Sequence, residues 1–304
     1  MNSHDQEQRP KPGPRHLLAA SSLALAGCLW GTGFLFGKIA MTEMTAPENV
    51  AFRFLSGAVL LSPIMIRTWK PYRGKELWIL LIASVIGIPM QFLIQFRGLQ
   101  LTTVSHASLI VGVLPVMVAA SSAVVLHERL RGIEWAALAL SALGAVLIAL
   151  SSRGSGSDAG PSLHGDLLVF ASMFAAAVNV LCSKRLIATH GALPVTATTI
   201  ILGTVLLLGW VELTTPVRFH FSPGAWGAAV AQGLLATAGA YLFWNWGLGH
   251  MPASKAGVFL NLEPVVGSVL GILVLHEQLA HTAILGGVFI IGAAVYFSVR
   301  RHEV

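Results

Sequence analysis

Apolar residues fill this chain in runs of about 20, interrupted by short stretches that carry charges, prolines and glycines. That length suits an α-helix crossing about 30 Å of hydrocarbon, and the runs alternate too little to be barrel strands. Ten spans are predicted: Leu17 to Met41, Pro47 to Ile66, Leu77 to Arg97, Val104 to Leu126, Ile133 to Ser151, Asp166 to Leu186, Leu193 to Leu213, Ala225 to Leu248, Ala253 to Leu275, and Thr282 to Val299.

The pattern repeats. Leu126-His127-Glu128 returns as Leu275-His276-Glu277, with Pro115 and Pro264 each twelve residues before the histidine. The match extends at a constant shift of 149, pairing Gly98 with Gly247, Ser105 with Ser254, and Ala107 with Ala256. Five spans per copy is an odd number, so the second copy crosses the membrane in the opposite sense. The expected fold is an all-α membrane protein with ten transmembrane helices in two inverted five-helix repeats. The expected division is a polar, proline-bearing cytoplasmic tail at 1–15, a first repeat at 16–152, a glycine- and serine-rich linker at 153–163, and a second repeat at 164–304.

Composition agrees: 55% of residues are hydrophobic and 11% charged, far below the roughly 25% charged in a soluble domain. The net charge of +6 has a topological reading, because Lys and Arg accumulate in cytoplasmic loops. With a cytoplasmic N-terminus, cytoplasmic segments hold 14 of these cations, outer segments hold Arg97, Arg153 and Arg218, and Lys38 and Arg53 stay inside spans. Glu128 is followed by Arg129 and Arg131, whereas Glu277 is followed by Gln278 and Ala280, as expected if the two motifs face opposite sides. Both termini are therefore expected in the cytoplasm of a cell whose inner membrane holds the chain. Nucleic acid is not an expected partner. Cys28 and Cys182 both fall within spans, and the histidines form no acid-flanked pairs, so neither a disulfide framework nor a metal site is expected.

Trp30-Gly31 with Phe34 and Lys38, Arg53 early in the second span, Pro115 before His127-Glu128, Gly165-Asp166, Leu262-Glu263-Pro264 and His276-Glu277 together resemble the EamA family of the drug/metabolite transporter superfamily. The resemblance covers about Leu17 to Val299. It implies a central cavity lined by the first four helices of each repeat, the fifth helices standing outside, and it implies export.

Glu263 lies well inside a predicted span, where an ionisable group costs several kcal/mol unless it faces water or a partner. It precedes Pro264, which frees a carbonyl one turn back, and Pro115 does the same in the first copy. A protonatable Glu263 makes proton coupling a candidate, against a packing carboxylate held uncharged. No other cofactor is expected. Arg53 and Lys38 are candidates for a substrate carboxylate, against snorkelling to the headgroups. Gln91 and Gln95 share a helix face, and the matching face of the second copy carries Trp244 beside Tyr241. Trp30, Asn179 and Asn261 complete the candidate path, with an interfacial belt as the competing reading for the tryptophans.

A membrane-embedded transferase needs grouped acids or an acid-held histidine, and no HxxxxD or DDxxD pattern occurs. A channel would be expected to repeat its charged ring in both copies, and the intramembrane charges do not repeat. The expected function is a secondary transporter that exports small amphipathic metabolites such as amino acids by alternating access; nucleosides, sugars and cationic drugs are the alternative solutes. Sequence fixes no oligomeric state.

Overall fold

The computed structural model describes residues 14–117, 121, 132–151, 161–250 and 257–300. The first Leu-His-Glu motif, Lys255 and most of the expected tail and linker lie outside the described residues. Among the described residues ten helices follow one another: α1 (Pro14–Ala40), α2 (Ala46–Thr68), α3 (Lys75–Leu101), α4 (Val104–Met117), α5 (Gly132–Ser151), α6 (Leu163–His190), α7 (Ala192–Thr214), α8 (Pro223–His250), α9 (Leu262–Leu275) and α10 (His281–Arg300). Six of them, α1 to α3 and α6 to α8, are long and apolar enough to cross a membrane; α4, α5, α9 and α10 contain shorter apolar helices.

Polar residues set the helix starts. Thr45 and Glu48 form a reciprocal capping box at the start of α2, which satisfies two orphan backbone donors at once. Ser162 caps α6 by accepting from the Gly165 N–H at 3.0 Å. Ser222 caps α8 through the Ala225 N–H at 3.2 Å, with Pro223 at the first helical turn.

Four helices are interrupted, at related places. α3 widens into a π turn at Ile86–Met90, and α8 does so at Gln232–Gly239. A shift of 149 carries the first stretch onto the end of the second. Pro89 supplies no N–H to a regular ladder, and wide turns of this kind recur at functional sites. α4 loosens at Gly112 and Val113, just before Pro115, and α9 is entered through a 3-10 turn at Gly257–Asn261, just before Pro264.

Packing pairs the two halves. α1 lies on α8 and α9, α3 and α4 lie on α6, α2 on α7, α4 on α9, and α5 on α10. The α5–α10 crossing is close enough that a Cβ on Gly144 would meet the Gly286 carbonyl at 2.5 Å, and a Cβ on Gly286 the Gly144 carbonyl at 2.5 Å. Small residues allow such approach where helices associate in lipid. Outer surfaces are apolar, with Leu213 87% and Ile66 74% exposed, while Glu48, Arg53, Gln95, Asp166 and Gln232 are buried. Polar groups inside and hydrocarbon outside is the arrangement a bilayer requires.

Candidate functional site

The interrupted helices surround one large cavity. About 930 Å³ of unfilled space, part of it open to solvent, lies among α1, α2, α3, α4, α6, α8 and the entry to α9. From the first half come Trp30, Phe34, Arg53, Gln91, Phe92, Gln95, Phe96 and Leu114; from the second come Asn179, Ser183, Lys184, Tyr241, Trp244, Asn245 and Glu263. The cavity extends to Lys184, Ile187 and Leu248, near the C-terminal ends of α6 and α8.

Arg53 is 3% exposed and held from three directions. Its Nε donates to Thr237 Oγ1 at 2.7 Å and its Nη2 to the Ala236 carbonyl at 3.2 Å. Both acceptors belong to the π turn of α8, where widening the helix makes carbonyls available to a side chain. The guanidinium also lies over Phe92, 4.6 Å from the ring centre, with Phe54 and Phe96 each at 5.3 Å, a face-on arrangement that stabilises a cation in a dry site. Among the described residues no hydrogen bond engages Nη1. Glu263 and Tyr241 both lie within electrostatic reach of Arg53.

An aromatic wall completes the lining. Trp30 meets Tyr241 edge-on at 5.3 Å between centroids and Trp244 at 5.4 Å, tilted 53°. Gln232 is fully buried and donates from Nε2 to the Gly33 carbonyl at 2.6 Å, tying the α8 π turn to α1.

Of the residues expected from sequence, Trp30, Arg53, Gln91, Gln95, Asn179, Tyr241, Trp244 and Glu263 line the cavity together. Lys38, Asn261, Pro115 and Pro264 do not line it. Lys38 is spent elsewhere: its Nζ donates to the Leu99 and Thr102 carbonyls at 2.9 and 2.6 Å. Asn261 is buried at the end of the 3-10 turn, and the two prolines are buried beside the helix interruptions. Asn245, beside Tyr241 on the aromatic and amide face read from sequence, lines the cavity too, and the structure adds Ser183 and Lys184; the i, i+4 spacing of Asn179 with Ser183 is the signal for the first of these.

Away from the cavity, two polar clusters join the halves. Glu277 accepts from the Val104 and Ser105 N–H groups at 2.7 and 2.8 Å, so a carboxylate of the second half caps α4 of the first. Asp166 accepts from Thr102 Oγ1 at 2.5 Å and pairs with His106 Nδ1 at 3.0 Å. Nearby in sequence to α8, Arg218 pairs with Glu48, and Glu43 accepts from the Ser222 N–H and hydroxyl. No group of three or more metal-ligating side chains lies together among the described residues.

The model of the EamA-like transporter family matches residues 17–150 and again 163–299. The chain belongs to the EamA-like transporter family. Two EamA units on an all-α, multi-pass frame make it a membrane-embedded transporter of small molecules, not an enzyme. It is 27% identical to an uncharacterized transporter of Archaeoglobus fulgidus over 95% of this chain and 98% of that one. It is 24% identical to the uncharacterized transporter YetK of Bacillus subtilis over 93% and 87%. A protein known from a crystal structure shares the fold at a TM-score of 0.65 and 20% identity, covering 94% of this chain and 99% of the other.

Proposed function

We propose that this EamA protein exports a zwitterionic, amphipathic metabolite, most simply an amino acid, by alternating access across the inner membrane. One observation carries the reading: a single cavity holds a carboxylate, Glu263, a guanidinium, Arg53, and the rings of Trp30, Tyr241 and Trp244. A substrate ammonium matches Glu263 and the ring faces, and a substrate carboxylate matches the planar fork of Arg53. The rings accept an apolar body between the two charges.

The pairing of helices supports two inverted repeats of five spans, because exchanging each helix with its counterpart in the other half returns the same contacts: α1 on α8 becomes α6 on α3. The helix interruptions at equivalent positions support a site at the repeat interface. Lys184, Ile187 and Leu248 stand at the ends that the Lys and Arg distribution assigns to the cytoplasm, and the ion pair of Glu48 with Arg218 at the opposite ends is read as the outer closure. The conformation is thus read as open inward and shut outward, with both termini cytoplasmic. Glu263 is the proposed site of proton coupling.

A second reading, export of organic cations, draws on the nearness of Glu263 to the aromatic wall. Proteoliposomes loaded in turn with labelled amino acids, sugars, nucleosides and a quaternary ammonium separate the two. Efflux of amino acids that is blocked by Arg53→Gln is expected. Efflux of the quaternary ammonium alone, untouched by Arg53→Gln, would remove the zwitterion reading.

A further inference from the structure

A smaller hollow, about 290 Å³ counting the part open to solvent, lies beside the main cavity between α3, α6, α7 and α8. Asn179, Ser183, Tyr241 and Asn245 line both spaces, and Thr196 and Thr199 of α7 line only the smaller one. Its walls combine the hydrocarbon of Ile88, Val195 and Ile200 with hydroxyls and amides, and carry no charged group.

Several of these polar groups have protein partners. Asn179 Nδ2 donates to the Ala83 carbonyl at 3.0 Å, Ser183 Oγ to Asn179 Oδ1 at 3.3 Å, and Thr196 Oγ1 to the Ala192 carbonyl at 2.8 Å. The Asn245 amide donates to Thr196 Oγ1. Thr199 differs: it is 6% exposed, and its hydroxyl has no hydrogen-bond partner among the described residues. A buried hydroxyl left unpaired is costly, so a guest that supplies the missing partner gains by it.

The duplication shows that most of these polar groups are not part of the frame. At the shift of 149, Asn179, Ser183 and Asn245 correspond to Trp30, Phe34 and Phe96, while α2 and α7 begin at Ala46 and Ala192, a shift of 146 that sets Thr199 at the position of Arg53. Three of the four helical positions fold with an apolar or aromatic side chain in one half and an amide or hydroxyl in the other. The fourth matches the residue proposed to hold the substrate carboxylate.

We propose that this chamber receives the side chain of the substrate and selects one that ends in a neutral hydrogen-bonding group, a hydroxyl or carboxamide, over hydrocarbon or charge. The inference rests on the zwitterion reading of the main cavity, which fixes the ammonium and carboxylate and leaves the side chain to enter between α6 and α7. A charged end meets no counter-charge there, and a hydrocarbon end leaves the Thr199 hydroxyl unpaired.

The test uses full-length protein in proteoliposomes and two pairs of nearly equal shape, threonine with valine and asparagine with leucine. The polar member of each pair is expected to compete about tenfold better, the factor that about one hydrogen bond supplies. Thr199→Val, which keeps the shape, is expected to bring both pairs within about twofold, and Thr199→Ser to restore the preference. Asn245→Leu, on the facing wall, gives the same reading should Thr199→Val not fold. Equal competition in the unaltered protein, or a preference that survives Thr199→Val, would overturn the chamber's role while leaving the zwitterion site standing. Failure of all four amino acids, with another solute transported, would overturn both.

Discussion

Arg218 reaches Glu48 from the opposite half of the chain, with Nη2 2.8 Å from Oε2 and both Nε and the backbone N–H 3.0 Å from Oε1. Glu48 is fully buried, and the Arg218 side chain is 55% exposed. The same carboxylate accepts the Thr45 N–H at 2.7 Å, so one side chain both starts α2 and holds the loop before α8. Arg218→Ala is expected to loosen the outer closure without unfolding the chain, because the capping box on Glu48 remains. With Cys28 and Cys182 replaced by serine and Phe34→Cys as reporter, labelling by an impermeant maleimide from outside should rise several-fold. Unchanged labelling would mean that this pair does not shut the cavity.

Glu43 is expected to make the same closure sensitive to strong acid. The Ser222 hydroxyl and N–H hold its carboxyl below the ordinary carboxylate value of 4.5. Stabilisation by a group with a lowered value is present above its unfolded value and is lost as pH falls through the lowered one. The link between Glu43 and Ser222 should therefore survive mild acid and fail only below the usual carboxylate range. Following the Phe34→Cys labelling downward in pH, with Glu43→Gln as the comparison, checks this: the variant should already label at neutral pH as the unaltered protein does in strong acid.

Arg53→Lys is expected to be damaging despite keeping the charge. An ammonium cannot present the planar fork that serves Thr237 and Ala236, nor stack as well on Phe92. Leaving those acceptors short of a donor costs roughly 1–3 kcal/mol, visible as a lower melting temperature in detergent. Substrate affinity should fall by at least about tenfold with it. Normal affinity in a destabilised Arg53→Lys protein would confine Arg53 to a structural part.

Glu263→Gln should fold, since it keeps size and hydrogen-bonding capacity. Transport is expected to become slow and indifferent to pH. A variant with an undiminished rate and the original pH profile would exclude Glu263 from coupling.

Gly144→Ala places a methyl where only about 2.5 Å separates it from the Gly286 carbonyl. The helices α5 and α10 must part, at about 1–3 kcal/mol, and Gly286→Ala should cost the same. Because neither helix lines the cavity, substrate affinity should be retained while the melting temperature falls. Lost affinity in a protein of normal stability would contradict that separation.

Much of this was legible in sequence because lipid imposes a simple rule. Runs of hydrocarbon mark the helices, and the residues that break the rule, such as Arg53, Gln91, Gln95 and Glu263, are the ones turned inward around the cavity. Lys38 breaks the rule as well, yet it serves the Leu99 and Thr102 carbonyls at the end of α3. An isolated charge announces that it needs a partner but not which one. Glu48 with Arg218, and Glu277 with the start of α4, join residues 170 or more apart in the chain, and spacing along one helix carries no trace of them. The chamber between α6 and α7 was hidden for another reason: threonine is unremarkable in an apolar helix until its hydroxyl is found without a partner.

A wide turn takes up a residue that a regular helix would pass along, and each residue of an α-helix turns its successors by about 100°. Everything after Ile86–Met90 in α3, and after Gln232–Gly239 in α8, is therefore aimed by how many residues precede it. Were the first turn regular, Gln91 and Gln95 would swing away from the cavity; were the second, Tyr241 and Trp244 would follow. Deleting one residue inside either turn should re-aim that pair of side chains without altering either of them. Relatives whose aligned residues are identical here but whose chains differ by one position upstream would then carry different cavities.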